Sequence, residues 1–412
     1  MLNPKNEGLQ PSQDSREDVG PGIAGEPRSF APDQRVSSFT PRVWEGLDPS
    51  KFIRLPAMAA ANDQAVEPPV VATVDPRRRA LVVIPALNEE DAIRGVIDRI
   101  LSDENLVDPL LVVADGGSTD ATREIVREIG ETDPRVRLID NPGRVQSAGL
   151  NLAAAAIAGD RPWLVRVDAH ADYPQNYVSS LIEEAIRTGA TSVVVSMDTI
   201  GETGFQRAVA AAQNSRLGTG GSAHRMPANG QWVDHGHHAL FDLEAFEGLG
   251  GYDESFSHNE DAELDLRLRR QGGRIWLTDR VRIGYHPRRT PQALWNQYFS
   301  YGKGRARTVL KHYTPLKMRQ VLPLAVAPAV AGLLLAPFYW ALAIPALVWA
   351  LTALSLGASL AVRKGDLGVL MSGPAAMIMH LGWSAGFWTQ LISHRGERRV
   401  CDLLAAPRHA FG

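Results

Sequence analysis

From about residue 79 the chain alternates short apolar runs with amphipathic stretches. "ALVVIP" is short, branched and unbroken, which predicts a buried strand. Asn88 can then cap a helix, and Glu89, Glu90 and Asp91 suit a first turn, where carboxylates meet the positive end of the helix dipole. Ile93, Val96, Ile97, Ile100 and Leu101 recur at three- and four-residue spacing, one face of a helix. The alternation continues. "LLVVAD" reads as a strand ending at Asp115, "GGSTD" as a turn, and "ATREIVREIG" as a helix capped by Ser118 or Thr119. "VRLID" is a strand, "QSAGLNLAAAAIAG" a helix, "WLVRVD" a strand ending at Asp168, "YVSSLIEEAIRTG" a helix and "SVVVSMD" a strand. This βαβαβαβ order predicts an α/β fold with a mostly parallel sheet and helices on both faces.

One later segment carries two patterns. In "NEDAELDLRLRRQGG" the residues Ala262, Leu264, Leu266 and Leu268 alternate with charges, as in a strand. The residues are strong helix formers, however, and Glu263–Arg267 and Asp265–Arg269 are favourable pairs at four-residue spacing. The segment is therefore read as a helix, started by Ser257 or Asn259 and stopped by Gly272-Gly273.

The pattern breaks at both ends. Residues 1–78 are rich in Pro, Ser, Asp, Gln and Gly and read as a disordered tail; "VWEGLDPSKFIRLP" within it is a loose arm or a docking motif. Residues 79–315 form the α/β domain, 320–393 a membrane region of two to three helices, and 394–412 a basic tail. Val321 to Val362 contains no charged residue, enough for two spans of roughly 20 residues each, with Pro337 or Pro345 near the turn. Lys311, Lys317 and Arg319 precede the first span and place the α/β domain in the cytoplasm by the positive-inside rule. A third full span after Arg363-Lys364 would put the basic tail outside, so that run either breaks the rule or is re-entrant or interfacial.

Composition narrows the chemistry. The formal net charge of -3 gives no overall basic field for nucleic acid. The polar start lacks an apolar core for a cleavable signal peptide. Cys401 is the one cysteine, which excludes an intrachain disulfide and cysteine-rich zinc sites. No G-x-G-x-x-G follows the first strand and no Walker-type loop occurs. Ligands of such sheets bind outside the carboxyl ends of the strands, where Asp115 and Asp168 both fall. Each acid then meets a ligand, a cation or water, or caps a turn. "VRVDAHADYP" places His170 two residues after Asp168 and Asp172 two further on. "DHGHH", with His235, His237 and His238, lacks cysteines and a helical His-Glu-x-x-His pattern, so it reads as a pocket-shaping loop rather than as a zinc site.

"VVIPALNEE", "VADGGSTDAT", "NPGRVQSAGLN", "VRVDAHADYP", "LGGYDES" and "NEDAELDLRLRRQGGRI", in this order, resemble the family 2 glycosyltransferases with the GT-A nucleotide-sugar fold, and within them the succinoglycan-biosynthesis ExoA-like group. The resemblance covers roughly residues 79 to 310. It implies that Pro85, Asn88 and Glu89 line the nucleotide pocket, that Asp115 bonds base or ribose, and that Asp168 faces the donor diphosphate through Mg2+ or Mn2+. It also implies Asp261 as the general base. One base without an enzyme nucleophile implies single displacement, hence a β-linkage from an α-linked donor. Glu260, His237 (or His238), Gln297 and Arg305 are candidate acceptor or diphosphate contacts. Gln297 is not followed by the Arg-Trp of processive members, which implies addition of a single sugar. Tyr301, Lys303, Arg305 and Arg307 either touch a diphosphate or anchor an interfacial segment.

The expected activity is transfer of a hexose, with glucose from UDP-glucose as the leading choice. The acceptor would be a lipid-linked saccharide of surface-polysaccharide assembly at the inner membrane. The rivals are a polyprenyl-phosphate sugar transferase and a catalytically silent membrane scaffold. For the cation three arrangements stay open: Asp168 with His170, Asp168 alone with His170 donating to the diphosphate, or Asp172 replacing His170.

Overall fold

The computed structural model describes residues 75–226, 229–237 and 240–394. Most of the N-terminal tail, the arm within it, His238 and nearly all of the basic C-terminal tail lie outside the described residues. The end of the segment assigned to the tail is ordered. Pro76–Arg78 form a 3-10 turn whose Arg77 carbonyl accepts the Trp163 indole N–H at 2.6 Å.

The α/β domain runs β1 (Ala80–Ala86), α1 (Ile93–Leu101), β2 (Leu110–Asp115), α2 (Thr122–Thr132), β3 (Val136–Asp140), α3 (Gln146–Ile157), β4 (Trp163–Arg166), α4 (Tyr177–Thr188) and β5 (Ser192–Thr199). It continues with α5 (Gly204–Gln213), α6 (Arg216–Thr219), β6 (Gln231–Val233), β7 (Leu240–Asp242), α7 (Leu243–Gly248), α8 (Glu260–Arg270), β8 (Ile275–Tyr285) and α9 (Pro291–His312). The strands form one sheet in the order β3-β2-β1-β4-β7-β5-β8-β6. β1, β2, β3 and β4 are parallel, as are β5 and β8. β7 is antiparallel to both β4 and β5, and β6 to β8. The sheet is therefore mixed, with its parallel half as the sequence pattern predicts.

Both faces of this sheet are covered. Ala80, Val82 and Ile84 of β1 face one apolar cluster with α1 and α4, while Leu81 and Val83 face another with α3, α7 and α8. Burial on both sides is why β1 and β2 read as unbroken apolar runs. Asp115 pairs with Ala86 and Arg166 with Val83, so the carboxyl ends of β2, β1 and β4 share one edge.

Two helix starts differ from the sequence reading. Asn88 does not cap α1, which begins five residues later; it sits at φ 57° and its Oδ1 accepts the Thr119 N–H at 2.9 Å. Neither Ser118 nor Thr119 caps α2; Asp120 Oδ1 takes the Thr122 N–H at 3.0 Å. The loops after β1 and β2 spend their polar groups on each other. α8 is a helix, with Asn259 in the left-handed region at its start.

Beyond α9 lie α10 (Met318–Leu324), α11 (Val326–Gly332), α12 (Ile344–Lys364) and α13 (Ser372–Ser393). Met318–Leu335 and Trp340–Lys364 are long and apolar enough to cross a membrane. Leu334, Phe338, Trp340 and Val362 are largely exposed there. Pro337 falls in the link between these two segments, whereas Pro345 opens α12. The third run, α13, turns back onto the α/β domain and buries Ala375, Ala376 and Met379 against Val209 of α5 and Leu294 of α9. Its approach to α9 is backbone-close. A Cβ at Gly386 would collide with the Phe299 carbonyl, and one at Gly302 with the Trp383 carbonyl. Small residues permit such contact between helices.

Gly386→Val should therefore destabilise the protein by about 1–3 kcal/mol through overpacking. Gly95→Ala, in α1 with open space around it, should instead add up to about 1 kcal/mol of helix propensity. Thermal unfolding of the full chain in detergent checks both, and equal melting temperatures for Gly386→Val and wild type would disprove the close packing.

Candidate active site

The site is organised around a cation that the sequence hides inside a strand. Arg166 ends β4 and is 6% exposed. Its Nε donates to Asp168 Oδ1 at 3.0 Å and its NH1 to Asp261 Oδ1 at 2.7 Å, with Glu260 Oε1 at 3.7 Å. Burial alone would lower the Arg166 pKa, but the surrounding carboxylates hold it well above the ordinary value, so it stays charged. β4 stops at Arg166, and Asp168 follows two residues beyond the strand rather than at its last position.

Glu260 and Asp261 open α8 and share this cation, yet their environments push them apart. Burial works to raise Asp261. Arg166, a hydrogen bond from His237 and the Tyr252 hydroxyl at 2.9 Å outweigh it and hold Asp261 far below the usual carboxylate range. Glu260 is pushed up by burial and by the charge on Asp261, opposed by Arg166 and by the Gln146 amide that donates to Oε1. Two adjacent carboxyls with opposite shifts are an acid–base pattern found at functional sites.

The loops after β1 and β2 form the next part of the edge. Pro85 lies within β1 opposite Ala114. Asn88 N donates to Ser118 Oγ at 2.9 Å, and Glu89 N to Thr122 Oγ1 at 2.8 Å. Glu89 Oε1 lies 3.1 Å from His170 Nδ1, which raises the His170 pKa. His170 is otherwise mostly exposed. Asp115 is buried; it accepts from Gly117 N and Ser118 N at 3.1 and 3.2 Å and from Arg123 at 2.6 Å. Its carboxylate organises the Gly116–Thr119 turn, and a ligand reaches those oxygens only if the turn shifts. Asp172 points elsewhere: it forms a bridge with Gly284 of β8, and its Oδ2 lies 2.9 Å from His286 Nε2.

The second half of the chain closes the other side. His237 Nδ1 is 2.9 Å from Asp261 Oδ2. His224, eleven residues before His235, joins it and His237 in one group, with His224 buried and the other two half-buried; their ring centroids lie 4.8 to 5.4 Å apart. Arg305 of α9 is half-buried and has no carboxylate within 4.0 Å among the described residues. Burial and the neighbouring Arg319 push its pKa down to about 10. Gln297 stands apart from the carboxylates, donating to Tyr285 and Tyr301 hydroxyls at 2.8 and 3.0 Å.

Asp168, Glu260, Asp261 and His237 thus come together through Arg166, and Glu89 with His170 adjoins them by way of Asp168. Sequence reasoning missed Arg166, Gln146, Tyr252 and His224. Arg166 had a legible signal, since a charge inside an otherwise apolar strand needs a buried partner.

A mixed sheet carrying carboxylates on the edge formed by its parallel strands matches the GT-A fold of glycosyltransferases. The chain belongs to glycosyl transferase family 2: residues 81–250 match that family, and a curated relative agrees over nearly its whole length. That relative is the succinoglycan biosynthesis protein ExoA of Rhizobium meliloti, 50% identical over 321 residues, covering 78% of this chain and 97% of the relative. Among solved structures, the mannosyltransferase PcManGT from Pyrobaculum calidifontis, in complex with GDP-Man and Mn2+, shares the fold with a TM-score of 0.53 and 20% identity. The match covers 80% of this chain and 92% of that one.

The shift at Glu260 makes a prediction. A carboxyl raised in the folded state binds more protons than in the unfolded chain between its two pKa values. Its contribution is therefore full below the unfolded value, about 4.3, and is lost as pH rises through the folded one. Glu260→Gln should raise the melting temperature by a few degrees at pH 7 and leave it unchanged near pH 4. An effect of equal size at both pH values would contradict the assignment.

Proposed function

We propose that the protein is an inverting, non-processive hexosyltransferase using a UDP-linked donor and a lipid-linked saccharide acceptor, in exopolysaccharide assembly at the inner membrane. The carrying observation is the convergence of Asp168, Asp261 and Glu260 on Arg166 at one sheet edge. The ExoA relative's part in succinoglycan biosynthesis supports the pathway class. The two apolar segments after α9 support a multi-pass anchor, and Lys311 and Lys317 just before them support a catalytic domain on the cytoplasmic side. We divide the chain accordingly into the tail 1–78, the catalytic domain 79–315, the membrane region 320–393 and the tail 394–412.

In this reading the donor nucleotide lies across Pro85, Asn88, Glu89 and the turn organised by Asp115. The residues fit a divalent cation at Asp168 and His170. Glu89 engages His170 Nδ1 and leaves Nε2 available, the arrangement by which a carboxylate orients a ligating imidazole. Mg2+ or Mn2+ bound there supplies Lewis-acid neutralisation of the departing diphosphate. Asp172 is engaged with His286 and β8, which disfavours it as the second ligand.

Asp261 takes the proton of the acceptor hydroxyl. Paired with Arg166 it is ionised but a weak base. Its proton affinity rises when Arg166 turns its charge toward the donor diphosphate, so donor binding readies the base. The acceptor then attacks opposite the leaving diphosphate, which inverts the anomeric centre. Arg305, a half-buried cation on the helix leading into the apolar segments, supports recognition of a phosphate-bearing acceptor. That same observation sustains the rival acceptor, a polyprenyl phosphate. The intact carboxylate set around Arg166 opposes a silent scaffold. Gln297, held by Tyr285 and Tyr301, contributes by fixing α9 against β8 rather than by touching a diphosphate.

Membranes containing Asp261→Asn should lose about 10²–10⁴-fold in transfer, the range of general-base removal. Activity close to wild type would favour the phosphate acceptor, which is already ionised. A donor screen scored by lipid-linked product mass names the sugar. His170→Ala should weaken Mn2+ dependence and turnover, and Asp172→Ala should change little. The reverse order would reject the pairing of Asp168 with His170.

A further inference from the structure

We infer that His224, His235 and His237 form a second metal site, for a borderline divalent ion of the zinc class, separate from the cation position at Asp168. One ring nitrogen from each lies within 4.8 Å of the others, and the three imidazoles meet edge-on at centroid separations of 5.3, 4.8 and 5.4 Å. Tetrahedral zinc with Zn–N of about 2.0–2.1 Å sets nitrogens roughly 3.3 Å apart, so binding needs a modest inward rotation of the rings.

Two further observations point to a ligand rather than to a packed aromatic group. His235 Nδ1 is buried and has no hydrogen-bond partner. Asp265 Oδ2 lies 3.8 Å away, too far to satisfy it, and accepts the Gly236 N–H at 3.1 Å instead. A buried polar nitrogen left unpaired is costly unless something occupies it. The second observation is Asp261 of α8, whose Oδ2 lies 2.9 Å from His237 Nδ1. A carboxylate behind an imidazole is the supporting contact of a histidine metal ligand.

The donor set separates the two ions. Three imidazoles favour zinc-class metals, whereas carboxylate-containing sets suit Mg2+ and Mn2+. Three protein ligands leave a fourth position for an exogenous oxygen. Arg305 and Arg319 lie close enough to depress His235, so that position stands beside positive charge and suits an anionic oxygen. The sequence showed no zinc motif because His224 comes from the 3-10 turn Ala223–Arg225, outside the "DHGHH" cluster.

The test uses full-length protein in detergent, stripped with chelator and titrated with Co2+ and, separately, Zn2+. Wild type should bind stoichiometric metal, show the visible absorption of tetrahedral Co2+, and melt at a higher temperature with Zn2+. His224→Gln and His235→Gln should lose the absorption. Asp261→Asn should keep it with about 10–100-fold weaker affinity, and Asp168→Ala should keep it unchanged. Wild type that takes up no Co2+ or Zn2+ at micromolar free metal overturns the site, whatever the variants do. Loss of the absorption in Asp168→Ala but not in His235→Gln also overturns it. Neither outcome depends on transferase activity, so the proposed reaction stands or falls separately.

Discussion

A guanidinium buried at the end of β4 sets the terms for the rest of the site. Taking such a charge out of water costs several kcal/mol unless close carboxylates return it. Arg166 meets Asp168 from its own strand end and Asp261 from a helix 95 residues later. One interaction thereby docks α8 on the sheet edge and brings together acids that would otherwise repel. It also explains the opposite shifts of neighbouring carboxyls. Asp261 receives the short contact and is stabilised as an anion, while Glu260, at 3.7 Å, carries the cost of sitting beside it.

The parts of the fold legible in the sequence are those whose signals are local. Strands buried on both faces leave unbroken apolar runs, and α1 leaves a clean apolar stripe. α8 resolved correctly through one of its two charge pairs: Arg267 Nε bonds Glu263 at 2.9 Å, whereas Arg269 reaches Asp234 at 3.2 Å and Asp265 accepts the Gly236 N–H. What stayed hidden depends on distant segments. β7 has only three residues, and its place between β4 and β5 follows from antiparallel pairing that no short pattern encodes. The helix starts were misread because Asn88 bonds Thr119 and Glu90 bonds Ala121, so the capping groups of each loop belong to the other. His224 carried no signal because its partners arrive from a later segment.

α9 connects the chemistry to the apolar segments more directly than a tether would. On one side Asn259, at the start of α8, donates to Thr308 of α9 at 2.9 Å, and Lys311 and His312 both hold Glu263 of α8. On the other side α13 packs against it at backbone distance through Gly302 and Gly386. The helix bearing Asp261 is thus clamped to a helix that is itself clamped to α13. Coupling of this kind ties the position of Asp261 to the exposed apolar surface of α12. If the proposed acceptor is held in a bilayer, it would meet Asp261 at a constant depth, which raises its effective concentration in a reactive geometry.

Asp261 stands where the two halves of the site meet. One oxygen faces Arg166 and Tyr252, and through Arg166 the Asp168 side; the other faces His237 and the histidine group. In the proposed reaction a diphosphate beside Asp168 competes with Asp168 and Asp261 for the Arg166 guanidinium. Tyr252 and His237 still donate to Asp261 and keep it oriented while its proton affinity rises. On that proposal the base strengthens only once the donor is in place, so the acceptor hydroxyl is deprotonated when a sugar is there to receive it.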